Sequence, residues 1–310
     1  MSKLATALNL IKNNRGVFCS SLLKNFNFLF SDRLYLQLLF RFKMGYRLDI
    51  DNPKTFSEKL QWLKVYDHNP LYTTLVDKYA VKKWVADKIG EKYIIPTLGV
   101  WNDAREIDFD KLPNQFVLKT TNGGGGNVKI CKDKSSFDRK KAITCLNRDL
   151  KKSIYKSYRE WPYKNVPPRI IAEKYMEDVP NEGLRDYKFY CFEGIPLYCQ
   201  VISNRYSKET IDFFDMDWNH QEFTGLSEPH KPFSNSPIPI PIHFDMMKQA
   251  VSLIARNIEN NCFVRVDFYN VRGENYFGEI TFYPASGLGS FSPNEWNYRF
   301  GELLKLPSKR

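Results

Sequence analysis

Four consecutive glycines, Gly123, Gly124, Gly125 and Gly126, stand between two runs of strand character at residues 115–119 and 128–131, and they limit the fold more than any other feature. Backbone without Cβ atoms can wrap closely around a ligand, and its unobstructed amides suit phosphate oxygens. Lys119 ends the first run, so a cation stands at the root of the loop. The spacing G-x-x-x-x-G-K-[ST] is absent, and no helix signal follows directly, which excludes a Walker loop and a dinucleotide fingerprint. The pattern predicts a phosphate-binding loop between two strands; the alternative is a flexible hairpin tip.

Around this loop the chain reads as helices first and strands later. Thr55 and Glu58 form a capping box that opens a helix through Leu60 and Leu63. Val81, Trp84, Val85 and Ile89 recur at helical spacing beside Lys82, Lys83 and Asp87, and Gly90 is a natural stop. Strands are expected at 169–174, at 186–192 turning through Glu193-Gly194 into 195–203, and at 262–269 and 275–282 joined at Arg272-Gly273. After the rigid run Pro237-Ile238-Pro239-Ile240-Pro241, a helix buries Met247, Ala250, Val251, Ile254 and Ile258. Few strands are separated by helices of crossover length, so the expected class is α+β with largely antiparallel sheets, not a doubly wound Rossmann sheet. The 310 residues, 43% hydrophobic, suffice for one two-lobed domain or two tightly joined ones.

Six cysteines are spread singly and four histidines form no metal motif, so neither disulfides nor zinc are signalled, and a reducing cytoplasm fits best. The apolar run from Leu4 to Ile11 is interrupted by Asn9 and leads into Lys12-Asn13-Asn14-Arg15, unlike a signal peptide. The stretch from Phe26 to Phe42 is broken by Ser31, Asp32 and Arg33, short of the ~18 apolar residues of a membrane span. Net charge is 46 − 35 = +11. Residues 1–48 hold eight Lys or Arg against Asp32 alone, or +7, leaving +4 elsewhere. Such a segment is expected either to dock on an anionic membrane or to form a helical subdomain with a solvated basic face. No RRM, KH or OB signature accompanies it, which argues against a nucleic-acid partner.

A second constellation lies near the C-terminus, in Arg265-Val266-Asp267-Phe268-Tyr269 and Tyr276-Phe277-Gly278-Glu279-Ile280-Thr281. If these runs pair through the Arg272-Gly273 turn, Asp267 and Glu279 face one point. Two carboxylates plus phosphate oxygens suit Mg²⁺, which keeps waters and needs few protein ligands. The alternative is a buried ion pair with Arg265.

Several motifs run in order from Asp32-Arg33 to Ser290: Thr55-Phe56-Ser57-Glu58-Lys59-Leu60-Gln61-Trp62, Asp77-Lys78-Tyr79, the Lys119 glycine loop, Glu173-Lys174-Tyr175-Met176, Asp186-Tyr187-Lys188-Phe189, Arg265-Val266-Asp267, and Phe277-Gly278-Glu279-Ile280-Thr281-Phe282-Tyr283-Pro284. In this ordered set the chain resembles ATP-grasp enzymes, and in detail the TupA-like branch, similar to the teichuronopeptide-biosynthesis ligase. The resemblance implies an ATP-grasp fold, two α+β lobes sandwiching ATP, with a helical basic N-terminal region over 1–70, a first lobe over 71–174 and a second over 175–310. It assigns the ATP phosphates to Lys78 and Lys119, with Thr121, Asn122 and the four glycines closing over them. Glu173, Lys174, Tyr175 and Met176 match the hinge strand that holds adenine, and Asp178 or Glu182 the ribose. Asp267 and Glu279 match the magnesium carboxylates. Thr281 stands where many ATP-grasp proteins place an Asn ligand. Lys188 and Arg205 match the basic residues facing the γ-phosphate and acyl intermediate, and Arg265 completes the catalytic set.

The implied activity is amide formation by a carboxylate–amine ligase through an acyl-phosphate, joining an amino acid to a uronic acid in surface polysaccharide assembly such as capsule, O-antigen or teichuronopeptide. The acceptor, a sugar nucleotide or a lipid-linked or polymeric glycan, stays open, as does the amine's base, with Asp186 and the acids near Glu209 as candidates. The stretch from Ser286 to Ser290 is placed to touch the acceptor. The expected location is cytoplasmic, with peripheral association at the inner face of the membrane. Rival readings are a glycosyltransferase using Asp215-Met216-Asp217, a sugar phosphotransferase, and a non-catalytic acidic-polymer-binding protein.

Overall fold

The described N-terminal part is a helical hairpin, α1 (Arg15–Asn25) and α2 (Asp32–Met44), whose own small core is Leu23, Tyr35 and Leu39. The computed structural model describes residues 15–123, 128–178, 184–205, 208–227 and 229–308. Gly45, at φ 81°, ends α2 with its N–H on the Arg41 carbonyl. Next come α3 (Phe56–Tyr66), α4 (Leu71–Val76) and α5 (Ala80–Ile89). The capping box read from Thr55 and Glu58 is present: Thr55 Oγ1 accepts from the Glu58 N–H, and Glu58 Oε2 accepts from the Thr55 N–H at 3.0 Å.

A four-stranded sheet follows, built from β1 (Thr97–Trp101), β2 (Phe116–Thr120), β3 (Lys129–Cys131) and, after α6 (Arg139–Leu150) and α7 (Ile154–Tyr158), β4 (Ile170–Lys174). Its order is β1-β4-β2-β3, antiparallel throughout. The runs flanking the glycines pair as anticipated, Phe116 with Cys131 and Leu118 with Lys129. Gly124, Gly125, Gly126 and Asn127 lie outside the described residues. Phe116, Leu118, Ile170 and Ala172 pack with Leu146 of α6 in a separate core.

The larger sheet has the order β11-β10-β5-β6-β7-β8. Its strands are β5 (Asp186–Phe192), β6 (Ile195–Ser203), β7 (Thr210–Asp215) and β8 (His220–Gln221), then β10 (Phe263–Val271) and β11 (Glu274–Thr281). Both expected hairpin turns carry two residues at positive φ, Glu193-Gly194 and Arg272-Gly273, the conformation that matches strand twist in a two-residue loop. Between β8 and β10 lie β9 (Thr224–Gly225) and α8 (Phe244–Arg256). At the end β12 (Phe291–Ser292) pairs with β9, and α9 (Glu295–Leu303) closes the described chain.

Met247, Ala250, Val251 and Ile254 of α8 join the main core with Phe189, Cys191, Val264, Val266 and Phe268. On the other side of the sheet, Phe56 meets Phe263 edge-on at 5.0 Å and Phe300 at 5.6 Å. Among the described residues no helix is long and apolar enough to cross a membrane.

Candidate active site

Antiparallel pairing sets a charged row across three strands of the large sheet. Lys188 of β5 lies opposite Asp267 of β10, and Asp267 opposite Glu279 of β11. Two residues along β10, Tyr190, Arg265 and Thr281 form a second row on the same face. The register shifts just beyond Asp267, leaving Gly278 as the extra residue of a bulge. A Cβ on Gly278 would come within 3.1 Å of the Asp267 carbonyl oxygen and 3.2 Å of the Tyr269 ring, so glycine permits the close approach that aims Glu279.

Arg265 ties the rows together. Its Nε donates to Asp267 Oδ1 at 2.7 Å, and its Nη2 to Asp267 Oδ2 at 2.8 Å, Glu279 Oε1 at 3.1 Å and Thr281 Oγ1 at 3.0 Å. Lys188 Nζ contacts Asp267 Oδ2 and lies 3.6 Å from Asp186 Oδ1, while Arg205 Nη2 reaches Asp186 Oδ2 at 2.6 Å. At the other end Lys78 Nζ sits 2.9 Å from Glu279 Oε2. Burial pushes the Glu279 carboxyl up, but Lys78, Lys188 and Arg265 together outweigh it and hold the group well below the usual carboxylate range. Burial likewise opposes the Arg265 charge, and Asp267 and Glu279 more than restore it.

A second cluster stands on the small sheet. Lys119 of β2 pairs in register with Ile171, making Glu173 its diagonal neighbour on the same face. Glu173 takes Lys119 on Oε2 and Lys82 of α5 on Oε1, each at 2.5 Å. Lys78 links the clusters: its backbone N–H donates to the Thr121 carbonyl at 3.4 Å, at the root of the glycine loop, while its side chain meets Glu279. Along this line the cations Lys78, Lys82, Lys119, Lys188, Arg205 and Arg265 outnumber Glu173, Asp186, Asp267 and Glu279, six to four. A surplus of positive charge beside a glycine loop suits a polyanion.

The TupA-like ATPgrasp family profile matches residues 58–305. This chain belongs to that family. No curated protein sequence matches it. Among solved structures it is similar to the D-alanine–D-alanine ligase of Bacillus anthracis, at 17% identity over 79% of this chain and 72% of that one, with a TM-score of 0.45. It is also similar to the L-amino acid ligase of Bacillus licheniformis (11% identity, 75% of this chain, 50% of that one, TM-score 0.42). The N5-carboxyaminoimidazole synthetase of Staphylococcus aureus is a third (13% identity, 76% and 53%, TM-score 0.39). The chain spans about half the length of the last two.

In the ATP-grasp frame the metal question turns on the donors present. Among the described residues no three His, Cys, Asp or Glu side chains gather to hold a metal. Asp267 and Glu279 face each other across two strands, and Thr281 Oγ1 lies 3.5 Å from Glu279 Oε1. Two hard carboxylates and a hydroxyl do not enclose a cation, but they fit Mg²⁺, which takes the rest of its shell from phosphates and water.

Other expected ligands have partners within the protein. Thr121 Oγ1 donates to the Pro167 carbonyl at 3.0 Å, and Asn122 Nδ2 to the carbonyls of Leu150 and Lys152, both at 3.2 Å. These side chains brace the root of the loop, and Gly123 follows them. The Glu173 carboxylate, expected at adenine, is taken by two lysines, whereas Lys174 is exposed with its N–H on the Pro96 carbonyl. The Tyr175 hydroxyl donates to Glu177 at 2.9 Å; Met176 is half-buried. Asp178 accepts the Arg272 N–H at 2.8 Å, tying the hinge to the β10–β11 turn; Glu182 lies outside the described residues. Asp215 accepts the N–H groups of Asp217 and Asn219 at 3.0 and 2.8 Å, so the Asp215-Met216-Asp217 stretch builds a turn at the end of β7, three strands from β10.

Sequence reading missed two elements of the site. Lys82 looked like part of a solvated helix face, yet its ammonium reaches Glu173. The other is a buried cluster beside the β11 exit, where Lys64 Nζ donates to Gln61 Oε1 at 3.1 Å, the Tyr158 carbonyl at 3.0 Å and the Ser286 carbonyl at 2.7 Å. Ser286 Oγ donates to Glu160 Oε1 at 2.6 Å. Ala285, Ser286 and Gly287 all have positive φ, and this cluster holds them there.

Glu173 also sets an expected pH dependence. Burial raises its carboxyl, but Lys119 and Lys82 bring it below the ordinary 4.5. A lowered folded-state value stabilises fully above the unfolded value and is lost as pH falls through the folded one. Thermal midpoints should therefore stay level from neutrality to about pH 5 and drop below it. Glu173→Gln should lower the midpoint at neutral pH and make the acid drop shallower. An acid drop of unchanged steepness in that variant would assign it to other groups.

Proposed function

We propose that this ATP-grasp chain is an ATP-dependent carboxylate–amine ligase that joins an amino acid to a uronic acid during surface polysaccharide assembly. The observation that carries the reading is a pair of charged clusters joined at Lys78: Glu173 with Lys119 on the small sheet, and the Glu279–Arg265–Asp267–Lys188 rows on the large one, with the Lys78 N–H on Thr121 at the root of the glycine loop and its ammonium on Glu279. ATP would lie between the 71–174 and 175–310 lobes, its phosphates against Lys119 and Lys78 at the root of the glycine loop and its adenine along residues 173–176. Magnesium, held by Asp267 and Glu279 with Thr281 beside them, would offset phosphate charge.

A substrate carboxylate oxygen then takes the γ-phosphoryl group and ADP leaves, giving an acyl-phosphate. Lys188 and Arg265 stand where charge spreads over the transferring oxygens. An amine nitrogen next bonds to the acyl carbon, the bond to phosphate oxygen breaks, and the nitrogen gives up a proton. The segment from Ser286 to Ser290, braced by Lys64 and Glu160, lies a short turn beyond β11 and is the proposed acceptor wall. The expected location is the cytoplasm, with peripheral association at an anionic membrane.

The test is product identity. Incubation with ATP, an amino acid and a uronic-acid acceptor should release ADP and free phosphate together, only when the amine is present, and mass spectrometry should show an amide. A stable phosphorylated sugar without amide would instead identify a phosphotransferase.

A further inference from the structure

We propose that the bend between α1 and α2 is an apolar wedge that inserts into an anionic lipid surface. This deepens the peripheral association proposed above and does not depend on the ligase chemistry. Phe18 and Leu22 stand four residues apart on α1, and Phe26 continues their stripe past its end; all three are exposed. At the bend, Phe28 is 75% exposed and Leu29 65%, and Leu34 is exposed in the first turn of α2. Six large apolar side chains exposed along α1, its bend and the first turn of α2 are more than scattered surface hydrophobics and mark an interaction face.

The bend is held from behind rather than loose. Arg159, itself buried, donates to the Asn27 carbonyl at 2.5 Å, and Lys24 donates to the Tyr158 hydroxyl at 3.0 Å. The wedge is therefore presented in a fixed shape, which lowers the ordering cost of insertion.

Charge selects the occupant. Asp32 is the sole acid among residues 1–48, and its carboxylate is taken by Arg159 at 2.9 Å and the Tyr155 hydroxyl at 2.9 Å. Arg41, one heptad from Leu34 on the same α2 face, is exposed, as are Lys43 and Arg47. Apolar side chains at the tip of a segment whose net charge is +7 over residues 1–48 fit an interface of anionic head groups over acyl chains.

The experiment is co-sedimentation of the full chain with vesicles of phosphatidylglycerol and phosphatidylcholine, and of phosphatidylcholine alone. The parent should bind the mixed vesicles and bind phosphatidylcholine weakly. The triple variant Phe26→Ser, Phe28→Ser, Leu29→Ser should lose partition on the order of a hundredfold while keeping its thermal midpoint and ATP affinity. Separately, Phe28→Trp should add a blue-shifted emission with the mixed vesicles. Equal partition of parent and triple variant overturns the proposal. So does self-association of the parent that the substitutions abolish while no vesicle binds, because the face would then be a contact between copies.

Discussion

Glu279→Gln is expected to lose most turnover, on the order of a hundredfold to a thousandfold in kcat, and to lower the thermal midpoint less than Asp267→Asn does. Two neighbours explain the smaller loss of stability. The Glu279 side chain is 30% exposed, and when its charge is removed Arg265 still holds Asp267 through two hydrogen bonds. In the proposed complex Lys78, freed from Glu279, would still have phosphate to meet. Asp267 differs, because it is 3% exposed and compensates both Lys188 and Arg265. Asp267→Asn leaves two buried cations short of a partner, a loss of roughly 3–5 kcal/mol in stability in addition to turnover. Phosphate release read beside thermal melting checks both. A fully active Glu279→Gln removes that carboxylate from the metal site, and equal destabilisation by the two changes makes the row a structural ion network.

The pairing of β10 with β11 was legible because a two-residue turn at Arg272-Gly273 leaves little freedom in how its strands meet, but that turn alone would set Asp267 opposite Gly278; the bulge at Gly278, unmarked in the sequence reading, brings Glu279 opposite Asp267. The same holds for β5 and β6 through Glu193-Gly194. Local chemistry determines such features within a few residues of chain.

Contacts between distant segments left weaker traces. Thr121 and Asn122 looked like loop donors to phosphate, but their partners Pro167, Leu150 and Lys152 are carbonyls some thirty to fifty residues away, and nothing in local spacing marks them. The family resemblance puts Glu173 on the adenine hinge, and nothing in local spacing marks the lysines that meet its carboxylate. Its lysine partners emerge only once β4 lies beside β2 and α5 packs over that edge. Lys64, Glu160 and Ser286 come from three separate segments and were not visible as a unit. Buried polar clusters satisfy their donors wherever the fold offers an acceptor, so their membership follows topology rather than motif.

Lys119→Ala should weaken ATP binding roughly tenfold to a hundredfold, whereas Lys82→Ala should lower the thermal midpoint and change ATP affinity far less. Both ammonium groups touch Glu173, and the difference lies in their remaining donors. An ammonium has three. Lys82 Nζ meets Glu173, the Ile95 carbonyl at 2.7 Å and Thr97 Oγ1 at 2.9 Å, so all three are engaged and burial lowers its pKa against the pull of Glu173. Lys119 meets Glu173 at 2.5 Å, and among the described residues no further acceptor reaches its ammonium. Two donors remain at the root of the glycine loop, where a phosphate would accept them. Removing Lys119 leaves Lys82 to compensate the Glu173 carboxylate; removing Lys82 also takes a donor away from the Ile95 carbonyl and Thr97 Oγ1 beside β1. Calorimetry with ATP and magnesium, paired with melting curves, separates the two lysines. Unchanged affinity in Lys119→Ala, or equal losses of affinity in both variants, would move the phosphate site away from β2.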